Sequence, residues 1–177
     1  MKSLLKSLAV VASAVSTFSA CSEEDKCKDI ICGEFGTCNE GICDCLPNYE
    51  KDADGLCSVL ERAKFTGNYN VTTSCGRDYS ASISNGTELN EIKFNSLVAD
   101  GNGTVLVGIV SGNTVTIART RDLDESMFFF YEGEGKIENG VLTINLIGTE
   151  EEIVIDADGN ETYEVIDTYN CEYTLTK

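Results

Sequence analysis

The sequence predicts an all-β protein in two parts: a small disulfide-rich module, then an antiparallel up-and-down β-barrel, with a two-sheet β-sandwich as the alternative. Three observations carry this. Cys27, Cys32, Cys38, Cys43, Cys45 and Cys57 fall within 31 of the 177 residues. A unit that small cannot bury enough apolar surface to fold alone, so cross-links must supply the constraint. From Phe65 onward the chain turns to Thr, Val, Ile and Tyr with turn dipeptides at short intervals, the pattern of consecutive hairpins. No long amphipathic helical period interrupts that stretch, and it contains no proline.

The chain carries 13 Lys+Arg against 30 Asp+Glu, for a net charge of -17, with no His, no Trp and nine Cys. Without histidine there is no Ser-His-Asp triad, no Cys-His pair and no imidazole-ligated zinc. A charge this negative repels phosphate backbones, which excludes nucleic acid as a partner.

The N-terminal residues 1–20 read as a signal peptide, with Lys2 and Lys6 as a basic start and Leu8 to Phe18 as a short apolar stretch ending in small residues. Such a stretch is too short to span a bilayer. Cleavage before Cys21 removes 20 residues, two of them lysines, and shifts the net charge from -17 to -19. Phe18-Ser19-Ala20-Cys21 resembles the lipobox of bacterial lipoproteins, with Phe18 where that family usually has Leu. The resemblance implies lipidation of Cys21, with palmitate-type acyl chains that anchor through about 0.8 kcal/mol per buried methylene. Residues 21–26 are then a lipidated acidic tether. Within it Ser22-Glu23-Glu24-Asp25 is similar to the acidic tract of surface-exported lipoproteins, which implies export to the outer membrane and display at the cell surface. The ordinary alternative is a soluble secreted protein.

Residues 27–57 space their cysteines as C-x4-C-x5-C-x4-C-x-C-x11-C, with Gly36 two residues before the third. Six cysteines allow fifteen pairings. The spacing resembles an EGF-like module, and that resemblance implies Cys27–Cys38, Cys32–Cys43 and Cys45–Cys57. Calcium-binding members of that class place acidic ligands before the first Cys and two residues after the third. Glu23, Asp25 and Glu40 stand at comparable positions, whereas Lys26 puts a cation where the class has Glu or Gln. Calcium is the one cofactor with candidate ligands, and no other cofactor is expected. Asp52-Ala53-Asp54-Gly55 and Asp156-Ala157-Asp158-Gly159 suggest calcium loops, but their Gly falls at the fourth position rather than the sixth, which fits hairpin turns instead.

A linker with one helical turn is expected over 58–64, and the barrel over 65–177. Strands are expected at Gly67 to Ser74, Tyr79 to Ser84, Glu91 to Val98, Thr104 to Val110, Thr114 to Ala118, Ser126 to Tyr131, Gly135 to Ile137, Val141 to Leu146, Glu151 to Ile155 and Tyr163 to Leu175. Turns separate them at Asn85-Gly86, Asp100-Gly101-Asn102-Gly103, Gly112-Asn113, Asn139-Gly140 and Asp158-Gly159. Eight to ten hairpin-linked strands favour closure, because a closed sheet has no edge to aggregate through. Gly67-Asn68-Tyr69 resembles the opening of lipocalin-like (calycin-like) barrels. In a closed meander the first and last strands are neighbours, so Cys75 and Cys171 can form a Cys75–Cys171 bridge across the seam, worth about 4 to 5 kcal/mol for a loop of that length. Eight paired cysteines leave Cys21 over, an additional reason to expect its lipidation.

Met127-Phe128-Phe129-Phe130-Tyr131 is the densest aromatic run. Alternation along a strand sends two rings inward and two outward. Core packing explains them, and Phe128 and Phe130 with Arg119 are the candidate ligand-facing residues; Arg77 and Arg121 are the other scarce cations able to orient an acidic ligand. The barrel acids, from Asp78 to the run Glu150-Glu151-Glu152, fall mostly at strand ends and turns, the ordinary place for solvated charge. Four Asn-x-Thr sequons, at Asn70, Asn85, Asn102 and Asn160, bear only on a eukaryotic secreted protein. The expectation is a non-enzymatic, membrane-anchored surface protein for binding or adhesion, with an unknown protein, glycan or small apolar ligand as partner. The alternatives are a lipocalin-like carrier and a small carboxylate-dependent hydrolase.

Overall fold

A computed structural model describes residues 26–98, 104–121, 128–155, 158–159 and 161–177. Residues 1–20, expected to be a signal peptide, lie outside the described residues, as do Cys21, Glu23, Asp25 and the sequon positions Asn102 and Asn160.

The first part consists of two short antiparallel hairpins, β1 (Gly36–Asn39) with β2 (Ile42–Cys45) and β3 (Tyr49–Lys51) with β4 (Cys57–Leu60). Disulfides join Cys27 to Cys38, Cys32 to Cys43 and Cys45 to Cys57. Cys57 is fully buried, and a side chain at Gly36 would run into it, so the glycine permits the close approach of the first hairpin to the last bridge. Phe35 stacks on Tyr49 with ring centroids 4.0 Å apart. The Asp52 carboxylate accepts from the backbone N–H groups of Asp54 and Leu56, both at 2.9 Å, and from the Ser58 hydroxyl at 2.5 Å. This carboxylate holds a turn together, the role the misplaced glycine indicated.

The expected linker is structured. Its first residues belong to β4, where Leu60 pairs with Tyr49, and Glu61–Lys64 form a 3-10 turn whose first N–H donates to Asn48 at 2.9 Å. The chain passes from module to barrel through hydrogen-bonded backbone because the β3–β4 ladder runs up to the turn.

The second part is an eight-stranded antiparallel sheet of β5 (Gly67–Thr73), β6 (Tyr79–Asn85), β7 (Glu91–Asn95), β8 (Val105–Ser111), β9 (Thr114–Arg121), β10 (Phe128–Glu138), β11 (Val141–Ile155) and β12 (Glu161–Thr176). Each strand pairs with the next in sequence, and β12 returns to β5, so the pairings close into a barrel rather than a sandwich. The Cys75–Cys171 disulfide lies beside that seam.

The ten expected segments collapse to eight strands. Ser126 to Tyr131 and Gly135 to Ile137 form the single strand β10, apart from Ser126 and Met127, which are outside the described residues. Val141 to Leu146 and Glu151 to Ile155 form the single strand β11. A side chain at Gly133 would meet the Asn145 carbonyl and one at Gly148 the Tyr169 ring, so these glycines mark close approach within continuous strands. At the other end of the expectation, Glu91 to Val98 stops at Asn95, where Ser96 takes a positive φ of 61° and turns Leu97 and Val98 into the core.

Alternate positions fill the barrel axis. Tyr69, Val71, Ile83, Ile92, Phe94, Leu106, Val115, Ile117, Leu142, Ile144 and Leu175 are all nearly solvent-free and belong to one cluster. Phe65 plugs the end nearest the 3-10 turn, and its carbonyl accepts the Tyr69 hydroxyl at 2.7 Å. Burial pushes the Tyr69 phenol up to about 12, so it remains a neutral donor.

Two expectations follow. Gly133→Ala forces a methyl into the neighbouring backbone and should destabilise by about 1 to 3 kcal/mol, read as a lower urea midpoint at unchanged slope. Asp52 is held below its ordinary value of 3.8, first by the Ser58 hydroxyl and then by the Leu56 N–H. A depressed carboxylate stabilises fully above its unfolded value and loses that contribution as pH falls through the folded one. NMR-monitored exchange should therefore show the Asp54 and Leu56 amides losing protection only below pH 3.8, and Asp52→Asn should abolish that acid limb.

Candidate functional site

Strand direction gives the barrel two unlike ends. At one end lie the 3-10 turn, the C-terminal Lys177 and the connections 86–90, Gly112-Asn113 and Asn139-Gly140. This end faces the cysteine-rich module and is closed by ionic and backbone contacts. One Arg62 nitrogen donates to the carbonyls of Glu88 at 2.5 Å and of Gly86 and Glu91 at 3.3 Å. The Glu61 carboxylate accepts the Gly112 N–H at 2.8 Å. Lys64 reaches Glu50 of the module at 2.5 Å and Asn113 of the barrel at 2.9 Å, and Lys177 donates to the Lys64 carbonyl.

At the opposite, distal end the strands are joined through 74–78, 96–104, 122–127 and 156–160. A cleft of about 210 Å³ opens there, lined by Arg77, Tyr79, Val98, Tyr131, Tyr169 and Tyr173. Tyr79 donates to the Leu97 carbonyl, and burial together with Tyr173 pushes its phenol well above its ordinary value. The Tyr79 phenol is thus a neutral hydrogen-bonding group, with Arg77 exposed at the same rim.

The aromatic run divides as alternation requires, and its outward half joins the arginines. Tyr131 and Phe129 pack on the core. Phe128 and Phe130 lie on the outer surface, where the Arg121 guanidinium sits 3.8 Å from the Phe128 ring centre and that of Arg119 4.1 Å from the Phe130 ring centre. Arg119 also forms an ion pair with Glu151, a carboxylate only 11% exposed. The three candidate ligand-facing residues, Phe128, Phe130 and Arg119, are therefore brought together, and the patch they make is on the wall of the barrel rather than in its bore. An extra β9 residue opposite the Tyr131/Gly133 step shifts the register and turns Arg119 out of the apolar row begun by Val115 and Ile117.

Glu40, the one described calcium candidate, is ion-paired with Lys26. Among the described residues no group of three Cys, Asp or Glu side chains is arranged to hold a metal.

The largest feature the sequence did not single out is an arm. β10 pairs with β11 only from Val141 to Glu151, and β5 pairs with β12 only over Tyr173–Thr176, while β11 and β12 continue together out to the pair Ile155 and Glu161. A two-stranded ribbon thus projects past the distal rim. Its outer face continues the aromatic patch: Tyr163 meets Phe128 edge-on at 5.6 Å, and Ile153, Ile155 and Val165 are exposed beside it. Its other face carries Glu150, Glu152 and Glu164. Part of the signal for this arm was present in the alternation Tyr163-Glu164-Val165, whereas Ile153-Val154-Ile155 is an unbroken apolar run; what sequence lacked was that the neighbouring strands stop short.

Comparison with known proteins found no matching family model, curated protein or solved structure.

Removing the Arg119 guanidinium leaves a poorly solvated carboxylate without its partner. Arg119→Met should therefore destabilise by about 1 to 3 kcal/mol, and Glu151→Gln in the same chain should recover part of the loss. Purely additive effects in this double-mutant cycle, measured by urea unfolding, would show the pair to be uncoupled.

Proposed function

We propose that this chain is a lipid-anchored cell-surface binding or adhesion protein without catalytic activity. In this reading Cys21 carries the lipid, the EGF-like module is the spacer, and the lipocalin-like barrel presents its distal end to partners. One observation carries it: the 3-10 turn and the module occupy one end of the barrel, while the tyrosine cleft, the arginine-aromatic patch and the arm lie toward the other. A protein tethered through its N-terminus would hold that second end outward. Clamping by Arg62, Glu61 and Lys64 favours a stiff mount over a flexible string.

The packed axis from Phe65 to Leu175 favours recognition on the surface over carriage of an apolar ligand in the bore. Glu151, the acid most withdrawn from solvent among the described residues, is held by Arg119 on the outer wall rather than set against a second carboxylate, which favours binding over glycoside-type chemistry.

The test is the mass of the protein extracted from membranes, mapped to its N-terminal peptide, with antibody labelling of intact cells. A diacyl or triacyl adduct on Cys21, surface labelling, and release to the soluble fraction by Cys21→Ala are the expected results. An unmodified Cys21, or sugar on Asn70 or Asn85, would overturn the anchored reading.

A further inference from the structure

The arm has a free edge. On the side of β12 away from β11, β5 pairs only over Tyr173–Thr176, and the Ser74 hydroxyl and N–H engage Glu172 just beyond. From Glu161 to Tyr169 no described strand covers that side, so a row of backbone donors and acceptors stands open at the end of the molecule farthest from the module. Open edges normally carry charge, Pro, a bulge or a covering loop to prevent pairing; here the register step opposite Glu150 and Glu151 leaves Ile166 as one extra residue, and the alternation is regular from Glu161 to Val165. This one has neither Lys nor Pro between Glu161 and Tyr169; its protective charges, Glu161, Glu164 and Asp167, are all acidic.

We propose that this edge, from Glu161 to Tyr169, is the docking strand for an extended segment of another protein in which basic and apolar residues alternate. Addition of a strand extends both faces of the ribbon, because successive side chains of the incoming segment fall on opposite sides. On one side they lie beside Tyr163 and Val165, exposed at 55% and 59% and continuous with the Phe128 and Arg121 patch. On the other they lie beside Glu164, with Glu150 and Glu152 on the adjoining strand, and none of these three has a cation partner among the described residues. An alternating segment places its apolar residues on the first side and its cations on the second. A second copy of this chain is a poor occupant: it would set Glu161, Glu164 and Asp167 against their own kind, between two molecules each of net charge -17. The same acids that block self-pairing select the partner's sign.

The inference rests on the distal end being the recognition surface, and it is tested without the anchor. The isotope-labelled mature chain is titrated with three end-blocked octapeptides: alternating Lys and Val, alternating Glu and Val, and the Lys peptide with its valines replaced by Pro, which keeps the charge but loses half the backbone donors. The expected result is exchange protection of edge amides within 161–169 by the Lys-Val peptide alone. Glu164→Lys with Asp167→Lys should weaken that peptide by about tenfold or more and admit the Glu-Val peptide. Both positions are exposed, and unchanged amide spectra of the barrel check the fold of the double variant; the Pro peptide decides the matter on the unaltered protein in any case. Equal binding of the Pro peptide, protection confined to other strands, no binding near 1 mM (a −4 kcal/mol threshold), or self-association through this edge would each overturn the proposal. Failure of the anchored reading shows at Cys21, and failure of this one shows at the β12 amides, so the two are separable.

Discussion

Closure of the sheet between β12 and β5 is the constraint on which the rest of the barrel depends. Seven of the eight junctions join strands adjacent in sequence, where a short connection brings the partners together at little entropic cost. The eighth joins the two ends of the domain and rests on four residue pairs, Tyr173 with Thr73 to Thr176 with Asn70. The Cys75–Cys171 bridge, whose ends are 96 positions apart in sequence, lies just above those pairs and confines the unfolded chain most at the junction that would otherwise be slowest to find. Without that seam the apolar row of Tyr69 and Val71 on β5 would have no neighbour to face across Leu175 and Tyr173.

The same short seam creates the arm. Because β5 leaves β12 at Thr73, and β10 leaves β11 at Phe128, the two longest strands outrun their neighbours on both sides. Side chains that would be core in a taller barrel become solvent-facing, so Ile153, Ile155, Tyr163 and Val165 are exposed although their residue types are those of interior strands. The exposed apolar and aromatic side chains of this scaffold therefore gather where pairing ends, and the opposite end is held together by Arg62, Glu61 and Phe65.

Local chemistry also settles several polar residues into structural roles. Asp52 is consumed by its own turn, Glu40 by Lys26 and Glu151 by Arg119. Each is a carboxylate that composition alone leaves open as a ligand or a catalyst. The arginines divide similarly: Arg62 holds backbone carbonyls, Arg119 and Arg121 cap aromatic rings, and Arg77 stands at the cleft.

What the sequence determined by itself was whatever depends on near neighbours in the chain. Cysteine spacing marked the module, Asn-Gly and Asp-Gly turns marked the meander, and the alternation of Val115 with Ile117 and of Leu142 with Ile144 marked the inward face, because turn geometry and the two-residue period are local properties. The continuity of β10 through Gly133 and of β11 through Gly148 was not legible, because the reason for each glycine is a partner on another strand, Asn145 and Tyr169, and a glycine needed for close approach looks the same in sequence as one needed for a turn. Only the tertiary structure decided that Phe128, Phe130 and Arg119 share the outer wall, since the irregularity opposite Tyr131 and Gly133 resets which side of β9 faces out. Only it decided that β11 and β12 outlast their neighbours: strand length is legible in one segment, but exposure is a difference between segments, fixed when the barrel closes.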